Sequence, residues 1–215
     1  MRQPNQCNTN GICKKPTLFF LDWDDTILCS SYLQKANIEP FNGTIPAHVQ
    51  EELAILEDRV IELLTIAQQS PDVSVAIVTN STKGWVESTA YHLMPSVFAL
   101  LDDVTIVSAR NMYEARYPMN PSLWKYCAFC AIIKGLNTTS CQVLSLGDSE
   151  DERVAALALS NPKSPIPVTL PEITVKSIKL AAQSSPKDLC GQLGKVCANL
   201  STLLSEDMPL DLRMA

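Results

Sequence analysis

Apolar positions along the chain follow two patterns: short unbroken runs, and longer stretches in which they return every three or four residues. The clearest run is Thr17–Leu21, which leads directly into Asp22. Its continuous apolar character predicts a strand buried on both faces, as in a parallel sheet. Comparable runs at Val73–Val78, Val104–Val107, Val143–Leu146 and Ile173–Ile178 predict four more strands. Between them the spacing is helical. Val49, Leu53, Leu56, Val60, Leu63 and Ala67 share one helix face, and Glu51, Glu52, Glu57, Asp58 and Glu62 lie mainly on others. Thr44 or Ile45 before Pro46 marks the start of that helix, and Ser70-Pro71-Asp72 ends it. Trp85, Val86, Ala90, Leu93 and Met94 define a second helix, with Ser81 or Thr82 as its cap. Asn120-Pro121 opens a third, and Gly135 is placed to end it. A short helix through Val154–Leu159 follows. The last helix opens at Ser185-Pro186-Lys187-Asp188 and faces the core with Leu189, Leu193, Val196, Leu200 and Leu203.

Strands that alternate with helices in this way predict an α/β fold, a three-layer Rossmann-like parallel sheet with helices on both faces. One domain over residues 16–207 suits a chain of 215 residues. Residues 1–15 and 208–215 read as tails, and residues 27–48 as a loop or small flap.

Composition narrows the function classes. Hydrophobic residues at 46% and charged residues at 19% are ordinary for a globular protein. A net charge of −6 argues against a nucleic-acid partner. It leaves a phosphorylated substrate open, because a bound metal ion inverts the field locally. No apolar run approaches bilayer-spanning length. The polar start does not read as a secretory signal, so a cytoplasmic location is expected and the sequons at Asn42, Asn80, Asn137 and Asn199 read as chance. The 8 cysteines are dispersed. Cys127 and Cys130 form a C-x-x-C pair inside a predicted helix with no second pair at zinc spacing, so reduced thiols are expected.

The chemistry gathers at strand ends. Asp22 and Asp24 follow the first strand, Thr79 ends the second and Asp148 follows the fourth. In a parallel sheet these ends share one edge, where open α/β sheets bind ligands. Carboxylates at the end of a buried strand are costly to desolvate unless a metal or donor compensates them.

Four segments in order then resemble the haloacid-dehalogenase-like superfamily of phosphohydrolases, over roughly residues 17 to 205. They are Asp22-Trp-Asp24-Asp-Thr26 after an apolar strand, Val75-Ala-Ile-Val-Thr79, Lys125 near the start of a helix, and Leu146-Gly147-Asp148 with Asp151 and Glu152 behind it. The resemblance implies a Mg²⁺-dependent phosphatase. Asp22 would be the nucleophile, forming an aspartyl-phosphate, and Asp24 the general acid and base. Asp22, Asp148 and the Asp24 main-chain carbonyl would hold Mg²⁺. Thr79 and the Asn80 backbone N–H would bind phosphoryl oxygens, with Lys125 offsetting charge and Lys134 as its competitor. Thr26 would support the first motif. Asp151 would orient the metal's waters, and Glu152 competes for that role. Asp24 favours a phosphatase over a dehalogenase. The stretches after the first motif and after the third strand are too short for a large cap, which tilts the substrate toward a phosphoprotein, with a metabolite and completion of the site by oligomerisation as the alternative. A non-catalytic phospho-ligand module is the other alternative. Asp25 reads as a turn residue, and His48 and His92 have no partner pattern.

Overall fold

The computed structural model describes residues 15–41, 45–161, 166 and 168–214. Its strands are β1 (Thr17–Leu21), β2 (Val73–Thr79), β3 (Thr105–Ser108), β4 (Ser140–Gly147), β5 (Glu172–Lys179) and β6 (Leu210–Arg213). They form one six-stranded sheet in the order β3-β2-β1-β4-β5-β6, with every neighbouring pair parallel. The helices are α1 (Ser30–Lys35), α2 (Ala47–Gln69), α3 (Trp85–Leu93), α4 (Pro95–Phe98), α5 (Ala109–Tyr113), α6 (Pro121–Lys134), α7 (Glu150–Ala158) and α8 (Pro186–Ser205).

The apolar run of β1 is buried on both sides. Phe19 and Leu21 enter one core, with Leu56, Val60 and Leu63 of α2 and Leu189, Leu193 and Val196 of α8. Leu18 and Phe20 enter the other, with Phe129 of α6 and Ala155 of α7. Phe20 stacks on Phe129 with ring centroids 4.2 Å apart. Helices therefore cover both faces, and the three-layer Rossmann-like α/β architecture is present.

Start signals act as expected at two helices. Asn120 accepts a hydrogen bond from the Leu123 N–H, and Ser185 accepts one from the Asp188 N–H. At α3 the expectation fails. Neither Ser81 nor Thr82 caps it; Gly84, at φ +86°, precedes Trp85 with no side-chain cap. Residues 208–215 do not form a tail throughout, because Leu210–Arg213 pair with Lys176–Lys179 as edge strand β6. That strand is short and largely exposed, so it leaves almost no apolar signature. Side chains hold it instead: Arg153 grips Asp211 with two donors, and Arg213 pairs with Glu150. The segment between β1 and α2 holds α1 and no large cap; its residues 42–44, with the Asn42 sequon, lie outside the described residues, as do Cys7 and Cys13.

Cys127 and Cys130 are free thiols, and burial pushes the latter up to about 11. Among the described residues no helix is long and apolar enough to cross a membrane.

Candidate active site

Strand register builds the site. Leu21 lies opposite Ile77 of β2 and Leu146 of β4, so the residues that follow these strands leave the sheet at one edge. The Asp22 N–H still donates to the Leu146 carbonyl at 3.0 Å, which fixes Asp22 as the last tethered residue of β1. The chain then turns sharply. Asp25 adopts φ +55°, a conformation that Asp tolerates better than most residues. Its carboxylate accepts from the Ser31 N–H at 2.8 Å and from the Ser31 hydroxyl, supplying α1 with the cap that Cys29 lacks. Trp23, fully buried, donates its indole N–H to Thr89 of α3 at 2.9 Å. Asp22 and Asp24 thus flank a residue locked into the core.

Asp22 faces a buried ion network. Lys125 of α6 is wholly buried and places its Nζ 2.6 Å from Asp22 Oδ1 and 2.8 Å from Glu152 Oε1. Lys134, at the end of the same helix, is exposed and does not take this position. Asp22, Asp148 and Glu152 each offer an oxygen, and these oxygens lie within 4.8 Å of one another. Burial pushes the Asp22 carboxyl well up, against the pull of Lys125. Burial, then Glu152 and Asp25, raise Asp148 to about 7. Burial opposes the charge on Lys125, yet Asp22 and Glu152 hold its ammonium above the usual range. Glu152 is also penalised by burial, but Lys125 and Ser149 keep it below the ordinary carboxylate value.

Glu152 reaches this cluster through the start of α7. Its Oε2 accepts from the Ser149 N–H at 3.0 Å while Ser149 accepts from the helix, a complete capping box. Gly147 makes the approach possible: a Cβ there would lie 2.5 Å from Glu152 Cγ and 2.9 Å from its Oε2. Asp151 turns elsewhere and accepts a hydrogen bond from Ser122. Of Asp151 and Glu152, the two acids that compete in the sequence for the role beside the metal, Glu152 lies in the cluster.

Asp24 is half-buried and bonded differently. Its Oδ1 accepts from the Trp85 indole at 2.9 Å and the Ser30 hydroxyl at 2.5 Å, and its Oδ2 accepts from the Ser81 hydroxyl at 2.6 Å. Thr79, buried at the end of β2, accepts from the Ser81 N–H at 2.9 Å. Among the described residues, Thr26 Oγ1 and Asn80 Oδ1 are buried without a hydrogen-bond partner.

With all three ionised, Asp22, Asp148 and Glu152 carry three negative charges against the single charge of Lys125. A divalent cation with oxygen ligands matches both that excess and the donor atoms. Sequence reasoning brought Asp22, Lys125 and Asp148 to one place. It missed the three groups that hold Asp24. Ser81 reads as a helix cap and Trp85 as a core residue, since no periodicity distinguishes a side chain turned toward a strand end. Two polar residues, Asn80 and Ser81, directly after a buried strand were the available signal.

No family model matches this chain, and no curated protein and no solved structure is significantly similar to it.

Proposed function

We propose that this chain is a Mg²⁺-dependent phosphatase acting on a phosphomonoester through an aspartyl-phosphate. The observation that carries the reading is the contrast between two carboxylates two residues apart: Asp22 buried against Lys125, Asp24 half-buried among neutral donors. Paired acids in unlike environments are what nucleophile and proton carrier require.

Mg²⁺, held by Asp22, Asp148 and the Asp24 main-chain carbonyl with Glu152 beside them, would neutralise charge on the phosphoryl oxygens. Lys125 engages Oδ1 of Asp22, leaving Oδ2 to attack phosphorus. As the phosphorus–oxygen ester bond breaks, Asp24 delivers a proton to the departing oxygen. Asp24 then takes a proton from the water that attacks the phosphorylated Asp22, and inorganic phosphate leaves. Thr79 already accepts from Ser81, so its own proton is available to a phosphoryl oxygen, next to the Asn80 N–H.

The test is release of phosphate from an aryl phosphate, with and without Mg²⁺, by the protein and by Asp22→Asn. Turnover that needs Mg²⁺ and vanishes in Asp22→Asn supports the assignment. Turnover that survives the substitution removes Asp22 as nucleophile.

A further inference from the structure

A cavity of about 520 Å³ opens beside Asp24, and neither Asp22 nor Lys125 lines it. Its size falls within the range of small-ligand sites. Leu28, Leu33 and Ile38 form a buried apolar wall, and Trp85 closes it next to the Asp24 carboxylate. Phe41, 46% exposed, packs edge-on against Trp85 with ring centroids 5.9 Å apart and extends the apolar surface outward.

Charge distinguishes this cavity from the phosphate side of the site. Among the described residues that line it, the charged ones are Asp24 and Glu39, both acidic. Neither a lysine nor an arginine is among those described lining residues. A substrate whose alcohol carries a carboxylate or a second phosphate would bring that charge against Asp24 and Glu39, with only the neutral donors of Ser30, Gln34 and Asn37 to offset it. An uncharged apolar body would lose only its contact with water.

We propose that this cavity is the leaving-group pocket, that it takes an uncharged aryl or similarly apolar alcohol, and that Glu39 at its rim rejects anionic leaving groups. The proposal rests on the phosphatase reading, in which Asp24, a residue that lines this cavity, faces the departing oxygen. Leu33 and Ile38 then determine specificity by contact, and Glu39 by repulsion. An aryl alcohol of this kind is either a free metabolite or a tyrosyl side chain, and the chemistry of the pocket is the same for both.

Calorimetry on the Mg²⁺-supplemented protein with benzylphosphonate and phosphonoacetate reads the pocket without requiring turnover. Benzylphosphonate is expected to bind at least about tenfold more tightly, from burial of its ring. Glu39→Lys, at an exposed position, is expected to narrow that preference about fivefold, the effect of a two-unit charge change at roughly 8 Å in water-like surroundings. An unchanged unfolding temperature would show that the variant is folded. Equal affinities, a preference for phosphonoacetate, or no binding of either compound overturns the pocket. Turnover separates this result from the phosphatase reading. If benzylphosphonate binds selectively but neither phenyl phosphate nor phosphoglycolate is hydrolysed, the pocket stands and catalysis falls. If both esters are hydrolysed with equal kcat/KM, catalysis stands and the pocket falls. A phosphotyrosyl peptide turned over faster than phenyl phosphate assigns the aryl group to a protein, and slower turnover assigns it to a metabolite.

Discussion

Lys125 sits 2.6 Å from Asp22 and 2.8 Å from Glu152, fully withdrawn from water. Its replacement by methionine would leave both carboxylates buried without a cation, a change that costs about 3 kcal/mol or more. Lys125→Met is therefore expected to lower the unfolding temperature steeply without Mg²⁺, and Mg²⁺ should restore part of the loss. Lys134→Met, on the exposed end of the same helix, should stay within about 0.5 kcal/mol of the parent. Thermal unfolding of both variants with and without Mg²⁺ checks the pair. Asp148 gives a pH-dependent counterpart. Burial raises its pKa from 3.8 to about 7. Below about pH 4 the carboxyl is protonated in both folded and unfolded chains, and it costs nothing. Between pH 4 and 7 the unfolded chain ionises first, so the metal-free fold loses stability as pH rises. Above pH 7 the loss is complete, on the order of 4 kcal/mol. Asp148→Asn removes the penalty. Metal-free, it should be more stable than the parent at pH 8 and little different at pH 4, by chemical denaturation. Added Mg²⁺ is expected to reverse the ranking at pH 8, because the ionised Asp148 carboxylate offers a cation an oxygen charge that Asn lacks. A parent protein that matches Asp148→Asn at pH 8 without metal would remove Asp148 from the buried cluster.

At the level of elements, the junction of β4 with α7 places Glu152. The helix begins two residues after Asp148, its capping box fixes the side chain, and Gly147 leaves room for it. Gly147→Ala puts a methyl group 2.5 Å from Glu152 Cγ, so α7 or the side chain must move. We expect a drop of about tenfold in Mg²⁺ affinity, the scale on which displaced supporting groups affect metal sites, with unfolding temperature affected less. Titration by calorimetry checks it. An affinity unchanged in Gly147→Ala would mean that Glu152 does not act on the metal. This junction also marks the border of what was legible in the sequence. Asp22 and Asp148 were legible because each follows a strand whose apolar pattern is strong, and Lys125 through the order of motifs that the resemblance implies. The strand β1 and the helix α2 are unambiguous for the same reason. Glu152 and Asp151 could not be separated, since helix phase near a cap depends on where the first turn starts. Gly84 rather than Ser81 precedes α3 because Ser81 hydrogen-bonds Asp24 across 57 positions of sequence, a tertiary contact that no local pattern encodes. Strand β6 was invisible because exposed edge strands need little apolar content.

Across the whole molecule, helix α7, which carries Glu152, and the edge of the sheet are joined by charge. Strand β6 lies beyond β5, yet Arg153 and Glu150 of α7 reach it through Asp211 and Arg213. On the opposite face, Lys176 of β5 turns inward and donates to Gln142 and to the Leu203 and Glu206 carbonyls at the end of α8. That ammonium caps the last helix from inside the sheet. Removal of residues 210–215 would therefore strip a set of exposed ion pairs, each worth up to about 1 kcal/mol, and one row of strand hydrogen bonds. It would leave the Lys176 contacts intact. Glu152 is held independently of β6, by Lys125, by Ser149 and by the fit against Gly147. The truncated chain is expected to unfold at lower denaturant, by about 1–3 kcal/mol, and to bind Mg²⁺ within about threefold of the parent. High salt should weaken the parent toward the truncated chain, since exposed pairs are screened. Urea unfolding at two ionic strengths and calorimetry with Mg²⁺ measure both effects. A truncation that abolished Mg²⁺ binding while the sheet stayed folded would instead make β6 a clamp on α7, with the Arg213–Glu150 pair as its point of contact.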